Sequence, residues 1–146
     1  MKINIIVLFI LALLYTSVAQ VNKSELEAEI KSAIDSVRQV YGMKPLLNEK
    51  VCYYAADIHS KYMFENGVLN HFEMKADSLY SPADRVIASG GEGYLVGENV
   101  AYIDFASNTD SEWIVNTIVE TWIHSKGHFA NILSSEYDVT GVSIKT

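Results

Sequence analysis

Two imidazoles and a carboxylate set in apolar sequence are the part of this chain equipped for chemistry. They are His71 in Asn70-His71-Phe72-Glu73, Glu98 in Gly97-Glu98-Asn99-Val100-Ala101-Tyr102, and His128 in the run from Trp122 to Leu133. His128 directly follows Gly127, so a tight glycine turn between two apolar runs would aim the ring. Two histidines and one acid supply the ligand types of a zinc site with an open fourth position. His71 and His128 would hold the metal and Glu98 would serve as base in a metal-assisted hydrolase or peptidase. The sequence lacks the paired His-x-x-x-His helix that fixes two ligands in advance. Ser125, three residues before His128, allows a Ser-His-Glu trio to be drawn. No Gly-x-Ser-x-Gly elbow accompanies it, and a serine before Lys126-Gly127 reads as a helix-ending cap.

These groups need elements to bring them together. Tyr94 to Phe105 is rich in valine, tyrosine, isoleucine and phenylalanine and reads as a strand entered through glycine. On it Glu98, Val100 and Tyr102 share one face. A covered carboxylate there needs a partner, for which a histidine is suited, or else it pins a loop by accepting backbone N–H bonds. Asn99, on the other face, reads as a structural amide that replaces missing ladder bonds. Apolar periodicity predicts a helix from Ser24 to Tyr41, stopped by Gly42, and a second opened by Asn48 and running to about Glu65. Val51, Ala55, His59 and Met63 form the inward stripe of the second, which makes His59 a hydrogen-bonded core histidine. Ser81-Pro82 starts a short helix through Ala88, and Asp110 or Thr109 caps another to about Ser125. On that helix Glu120 and His124 read as a solvent-face pair. A short helical turn covers His128 to Leu133, and Tyr137 to Ile144 is a last strand in which Gly141 marks a bulge or a close backbone approach.

Composition narrows the classes. Residues 1–19 have Lys2, an apolar run from Ile5 to Leu14 and a Ser17-Val18-Ala19 cleavage site, the pattern of a secretory signal. The run falls short of the roughly 20 apolar residues a spanning helix needs. Residues 20–146 are then one domain, not membrane-spanning, with its place in the secreted or extracytoplasmic space. The net charge is −7 and becomes one unit more negative when Lys2 leaves. That repels phosphate backbones and argues against nucleic acid as a partner. The lone Cys52 forms no internal disulfide, and in its apolar helical setting it reads as a small hydrophobe.

The motifs in order resemble the CAP superfamily of cysteine-rich secretory, antigen-five and pathogenesis-related proteins, in its cysteine-poor bacterial form. The likeness rests on Val37-Arg38-x-x-Tyr41-Gly42-x-x-Pro45-Leu46, on Val51 through Ala55, His59-Ser60, Met63, Gly67 and His71, on Gly97 to Tyr102, and on Trp122-x-x-Ser125-x-Gly127-His128-x-x-Asn131-Ile132-Leu133. It runs from about Glu25 to Ile144. The resemblance implies an α+β fold, an α-β-α sandwich with a small, mainly antiparallel sheet between helical layers. It also implies a cavity of two histidines and two acids, of which His71, Glu98 and His128 occupy three positions. Ser125 stands where eukaryotic members carry the fourth acid. Family members take up divalent metal variably, so zinc is permitted and not required. The function implied is a secreted protein that binds a lipid-like or peptide ligand, or a protein partner, in an apolar groove beside this cleft, with nine tyrosines available to line it. The missing acid favours binding over hydrolysis. A third reading is an exported interaction module with a vestigial cleft.

Overall fold

The computed structural model describes residues 22–74, 77–92 and 95–146. The signal sequence and Tyr94 lie outside them. Asn22 caps α1 (Lys23–Val40) through its side chain, and Gly42 follows with φ 74°. The strand β1 (Leu47–Asn48) leads to α2 (Lys50–Asn66), which is capped by Glu49 rather than Asn48 and ended by Gly67 in the left-handed conformation. A 3-10 turn (Asp77–Leu79) precedes α3 (Pro82–Ala88), where Ser81 and Asp84 form a reciprocal capping box. Asp110 caps α4 (Ser111–Ile123), α5 spans Lys126–Ile132, and β2 is Val139–Thr140.

Two corrections concern strands. The sheet is not antiparallel: β1 and β2 pair in parallel, Leu47 with Val139 and Asn48 with Thr140. The segment around Glu98 is not a strand, because side chains take its carbonyls. Asn131 Nδ2 donates to the Glu98 carbonyl and Trp122 Nε1 to that of Val100. Tyr102 is consequently exposed, and its hydroxyl donates to Asp104 instead of packing beside Glu98. Tyr54 is exposed as well.

The main core joins Leu26 and Ile30 of α1 to Ile114, Val115, Ile118, Val119 and Trp122 of α4 and Ile132 of α5. Ala101, Ile103, Phe105, Val142 and Ile144 pack against it from the two extended segments. On their other side α2 closes in: a Cβ on Gly141 would press into Cys52 and Tyr53 backbone atoms, which is the close approach its position in the sequence suggests. Helix α3 packs on α2. The result is two helical layers with extended chain and a minimal sheet between them. Arg38, buried in α1, locks the end of α5 by donating to the carbonyls of Ile132 and Ser134 while its Nε holds Lys44. Among the described residues no helix is long and apolar enough to cross a membrane.

Candidate functional site

His71 sits on the loop after α2, Glu98 on the extended segment and His128 in the first turns of α5. The chain brings all three together. His71 Nδ1 lies 3.0 Å from Glu98 Oε1, and the rings of His71 and His128 are 6.2 Å apart, tilted by 60°. The backbone behind His128 is stitched to the Glu98 segment: Asn99 Nδ2 donates to the His128 carbonyl, and Asn131 Nδ2 to both Asn99 Oδ1 and the Glu98 carbonyl. Asn99 is therefore the structural amide its position suggests.

Gly127 is not a tight turn. It lies inside α5 with no positive φ, and Ser125, instead of ending a helix, is the residue that opens this one. The Ser125 hydroxyl makes no capping bond, and the residue is held through its backbone: its N–H donates to Trp122 and its carbonyl accepts from Phe129. Among the described residues no hydrogen bond joins its hydroxyl to His71, Glu98 or His128. Glu120 and His124 face solvent together, 3.4 Å apart. Cys52 is half-buried; burial, with Glu49 adding to it, pushes its thiol up, so it stays protonated.

Sequence reasoning missed the two residues that complete the site. Arg85, 0% exposed, donates from Nη2 to Glu98 Oε2 at 2.7 Å and to the His71 carbonyl at 3.2 Å, and from Nη1 to the carbonyls of Leu79 and Tyr80. Glu73, 4% exposed, takes His59 as its partner at 3.0 Å. His59 is hydrogen-bonded and buried as expected, yet it also stands 3.8 Å from Glu98. The one signal in the sequence was an arginine followed directly by Val86, Ile87 and Ala88 in a short apolar helix.

Electrostatics divide the two cleft histidines. Burial, and then the nearby His71, lower His128 below the ordinary imidazole range, so its ring is neutral at pH 7. Its Nδ1 is buried with no partner. His71 is more open and has Glu98 to accept its Nδ1 hydrogen, which leaves its Nε2 as the free atom.

A zinc centre needs donors free to turn to the ion. Glu98 is engaged at both oxygens, one of them by a guanidinium that repels a second cation. Among the described residues no three histidine, cysteine or acidic side chains gather so as to hold a metal. His71 and His128 offer at most two imidazoles, so the residues present do not fit a three-ligand zinc site.

Residues 31–146 match the family described as CAP, the cysteine-rich secretory protein family. The chain belongs to the CAP family. It is 28% identical over 127 residues to the uncharacterized protein YkwD of Bacillus subtilis, covering 87% of this chain and 45% of that one. It is 29% identical over 118 residues to the uncharacterized membrane protein YlbC of the same organism, covering 81% of this chain and 31% of that protein. The chain thus spans less than half the length of these two relatives. Among solved structures, an extracellular SCP-domain protein from Bacillus anthracis superposes with a TM-score of 0.70 at 22% identity, over 84% of this chain and 38% of that one. An outer surface protein from Borrelia burgdorferi superposes with a TM-score of 0.59 at 18% identity, over 83% of this chain and 81% of that one. Both likenesses speak to the fold.

Proposed function

We propose that this CAP-family chain is exported, loses residues 1–19, and works outside the cytoplasm as a binding domain of residues 20–146. Its ligand is lipid-like or a peptide, seated against His71, Glu98 and His128. The observation that carries this reading is the buried, unpartnered Nδ1 of His128, on a ring whose centroid lies 6.2 Å from that of His71. Buried polar atoms in folded proteins are nearly always satisfied, and a ligand hydroxyl or amide would satisfy this one. The His71 loop adds apolar surface: Phe72 stacks on Tyr80 with centroids 5.0 Å apart, and both, with Leu69 and Met74, are exposed.

The hydrolase alternative asks more of Glu98. A general base must reach a substrate or water proton, whereas this carboxylate is held between Arg85 and His71 and reads better as an anchor for His71.

Titration with a fluorescent long-chain fatty acid and with an extended apolar peptide tests the proposal. One of the two should saturate, and Phe72→Ala and His128→Ala should each weaken it about tenfold, which is ~1.4 kcal/mol. Absence of binding by both probes, or binding indifferent to both substitutions, would sink it. Ester or peptide turnover lost in Glu98→Gln would restore the hydrolase reading.

A further inference from the structure

Behind the cleft lies an arrangement that ligand binding alone does not explain. His59 is 1% exposed, and both of its ring nitrogens face acceptors. Nδ1 is 3.0 Å from Glu73 Oε1, and Nε2 is 2.8 Å from the carbonyl oxygen of Asn70. A carbonyl only accepts, and so does an ionised carboxylate, while a neutral imidazole has one N–H and one lone pair. A neutral ring beside an ionised Glu73 would therefore set a lone pair against an oxygen at one of the two contacts. Two arrangements avoid this: the ring carries both hydrogens, or Glu73 carries one and donates it to Nδ1.

The neighbours choose between them. Arg85 Nη1 stands 3.8 Å from Glu73 Oε1, and a buried cation there favours the ionised carboxylate. Glu98 Oε1 lies 3.8 Å from His59 Nε2, and the ring of Tyr62 stacks on His59 at 6.0 Å with planes 12° apart. An anion and an aromatic face both favour a cationic ring. With His59 charged, two cations and two anions meet (His59 and Arg85 with Glu73 and Glu98), and the buried group is neutral. A neutral ring beside an ionised Glu73 would leave one uncompensated buried charge, which is the costly case, and the other balanced arrangement, a neutral ring beside a protonated Glu73, sets that proton against the Arg85 cation 3.8 Å away.

We propose that His59 is a positioning residue held with hydrogen on both ring nitrogens, gripping the Asn70–Glu73 segment at its two ends and so fixing the His71 between them. Helix α2 supplies the rigid base, and Arg85 secures the middle of the segment through the His71 carbonyl. Held this way, His71 keeps its Nδ1 hydrogen on Glu98 and presents Nε2 to the cleft. The importance of that aim rests on the cleft being the binding site; the protonation itself is read in ligand-free protein.

Long-range proton–nitrogen correlation on protein with ¹⁵N-labelled histidine, at pH 7, tests it. Both nitrogens of His59 should appear as N–H, and His71 should show one tautomer with its hydrogen on Nδ1. Glu73→Gln removes the anion with little change of shape. It should strip one hydrogen from His59 and turn His71 into a tautomer mixture while helical circular dichroism is retained. His59→Gln, which cannot donate at both ends as the ring does, should mix the His71 tautomers in the same way and serves if Glu73→Gln does not fold. A nitrogen without hydrogen on His59 in the unsubstituted protein overturns the proposal. So does a folded Glu73→Gln or His59→Gln that leaves His71 unchanged. Failure of both ligand probes to bind would remove the binding reading and leave the His59 spectrum to stand or fall separately.

Discussion

Arg85 carries more of this site than any residue whose type suggested chemistry. It is fully buried, neutralises Glu98, stands near Glu73 and collects three backbone carbonyls. Removing one partner of such a buried pair leaves an uncompensated charge, which costs ~3–5 kcal/mol. Arg85→Met should lose about that much in urea denaturation, and Arg85→Lys should recover only part, because a lysine lacks the planar fork that serves several oxygens at once. A loss within experimental error for Arg85→Met would show that the pair is not what holds the loop. His128 gives a pH signature of the opposite kind. Its folded value lies below the ordinary 6.5 because of burial first and His71 second. Its contribution is thus fully present above about pH 6.5 and is lost as pH falls through the lower folded value. The stability profile should sag on that acid side, and His128→Gln should flatten it; an unchanged slope would refute the assignment. His71, Glu98 and His128 were legible because they are polar residues in apolar runs. Arg85 and Glu73 were not, since what marks them is proximity across three separate segments, and no local spacing records that.

Helix ends were the most readable elements, because capping chemistry is local. Ser81 and Asp110 cap the helices they were expected to open, whereas Asn22 caps the first helix two residues ahead of Ser24, Glu49 takes the place of Asn48, and Ser125 opens a helix it was expected to end. The last strand falls inside Tyr137 to Ile144 as read, at Val139–Thr140, but the segment around Glu98 was misread as a strand for a non-local reason. Tyr94 to Phe105 has strand composition, but the indole of Trp122 and the amide of Asn131 reach its carbonyls from α4 and α5. The parallel pairing of β1 with β2 likewise depends on residues far apart in the chain. Gly141 shows how closely this middle layer fits. A Cβ there would sit well inside contact distance of the Tyr53 and Cys52 backbone, which cannot swing aside as a side-chain tip can. Gly141→Ala should destabilise by ~1–3 kcal/mol or more, the range for overpacking. Gly127→Ala, whose Cβ would have no atom within 4 Å apart from the helix's own backbone, should be neutral or stabilising by about 0.5–1 kcal/mol. Equal thermal shifts for the two substitutions would contradict the packing described.

At the scale of the whole molecule, the family and the layered architecture follow from the order of the motifs, while the tie between the layers is visible only in three dimensions. Asp57 of α2 is hydrogen-bonded by Lys23 at the start of α1 and by Ser143 and Lys145 of the last segment. One carboxylate thereby joins both helical layers and the chain between them. Burial alone would push Asp57 up, but the hydrogen bonds from Lys145, Ser143 and Lys23 outweigh it and bring the carboxyl down to about 2. Because the folded value lies below the ordinary 3.8, the stabilisation is present above about pH 3.8 and disappears as pH falls toward 2. The cluster is partly open to solvent, and exposed ion pairs contribute only ~0–1 kcal/mol each, so its effect at pH 7 is modest and screened by salt. Asp57→Asn keeps the shape and removes the charge. It should lower stability slightly at pH 7 and low salt, lose that difference in concentrated salt, and flatten the acid limb between about pH 4 and pH 2. A variant with the same acid limb as the unsubstituted protein would mean that the layers are held by the Leu26, Ile114 and Trp122 core alone, with the Asp57 cluster a bystander on the surface.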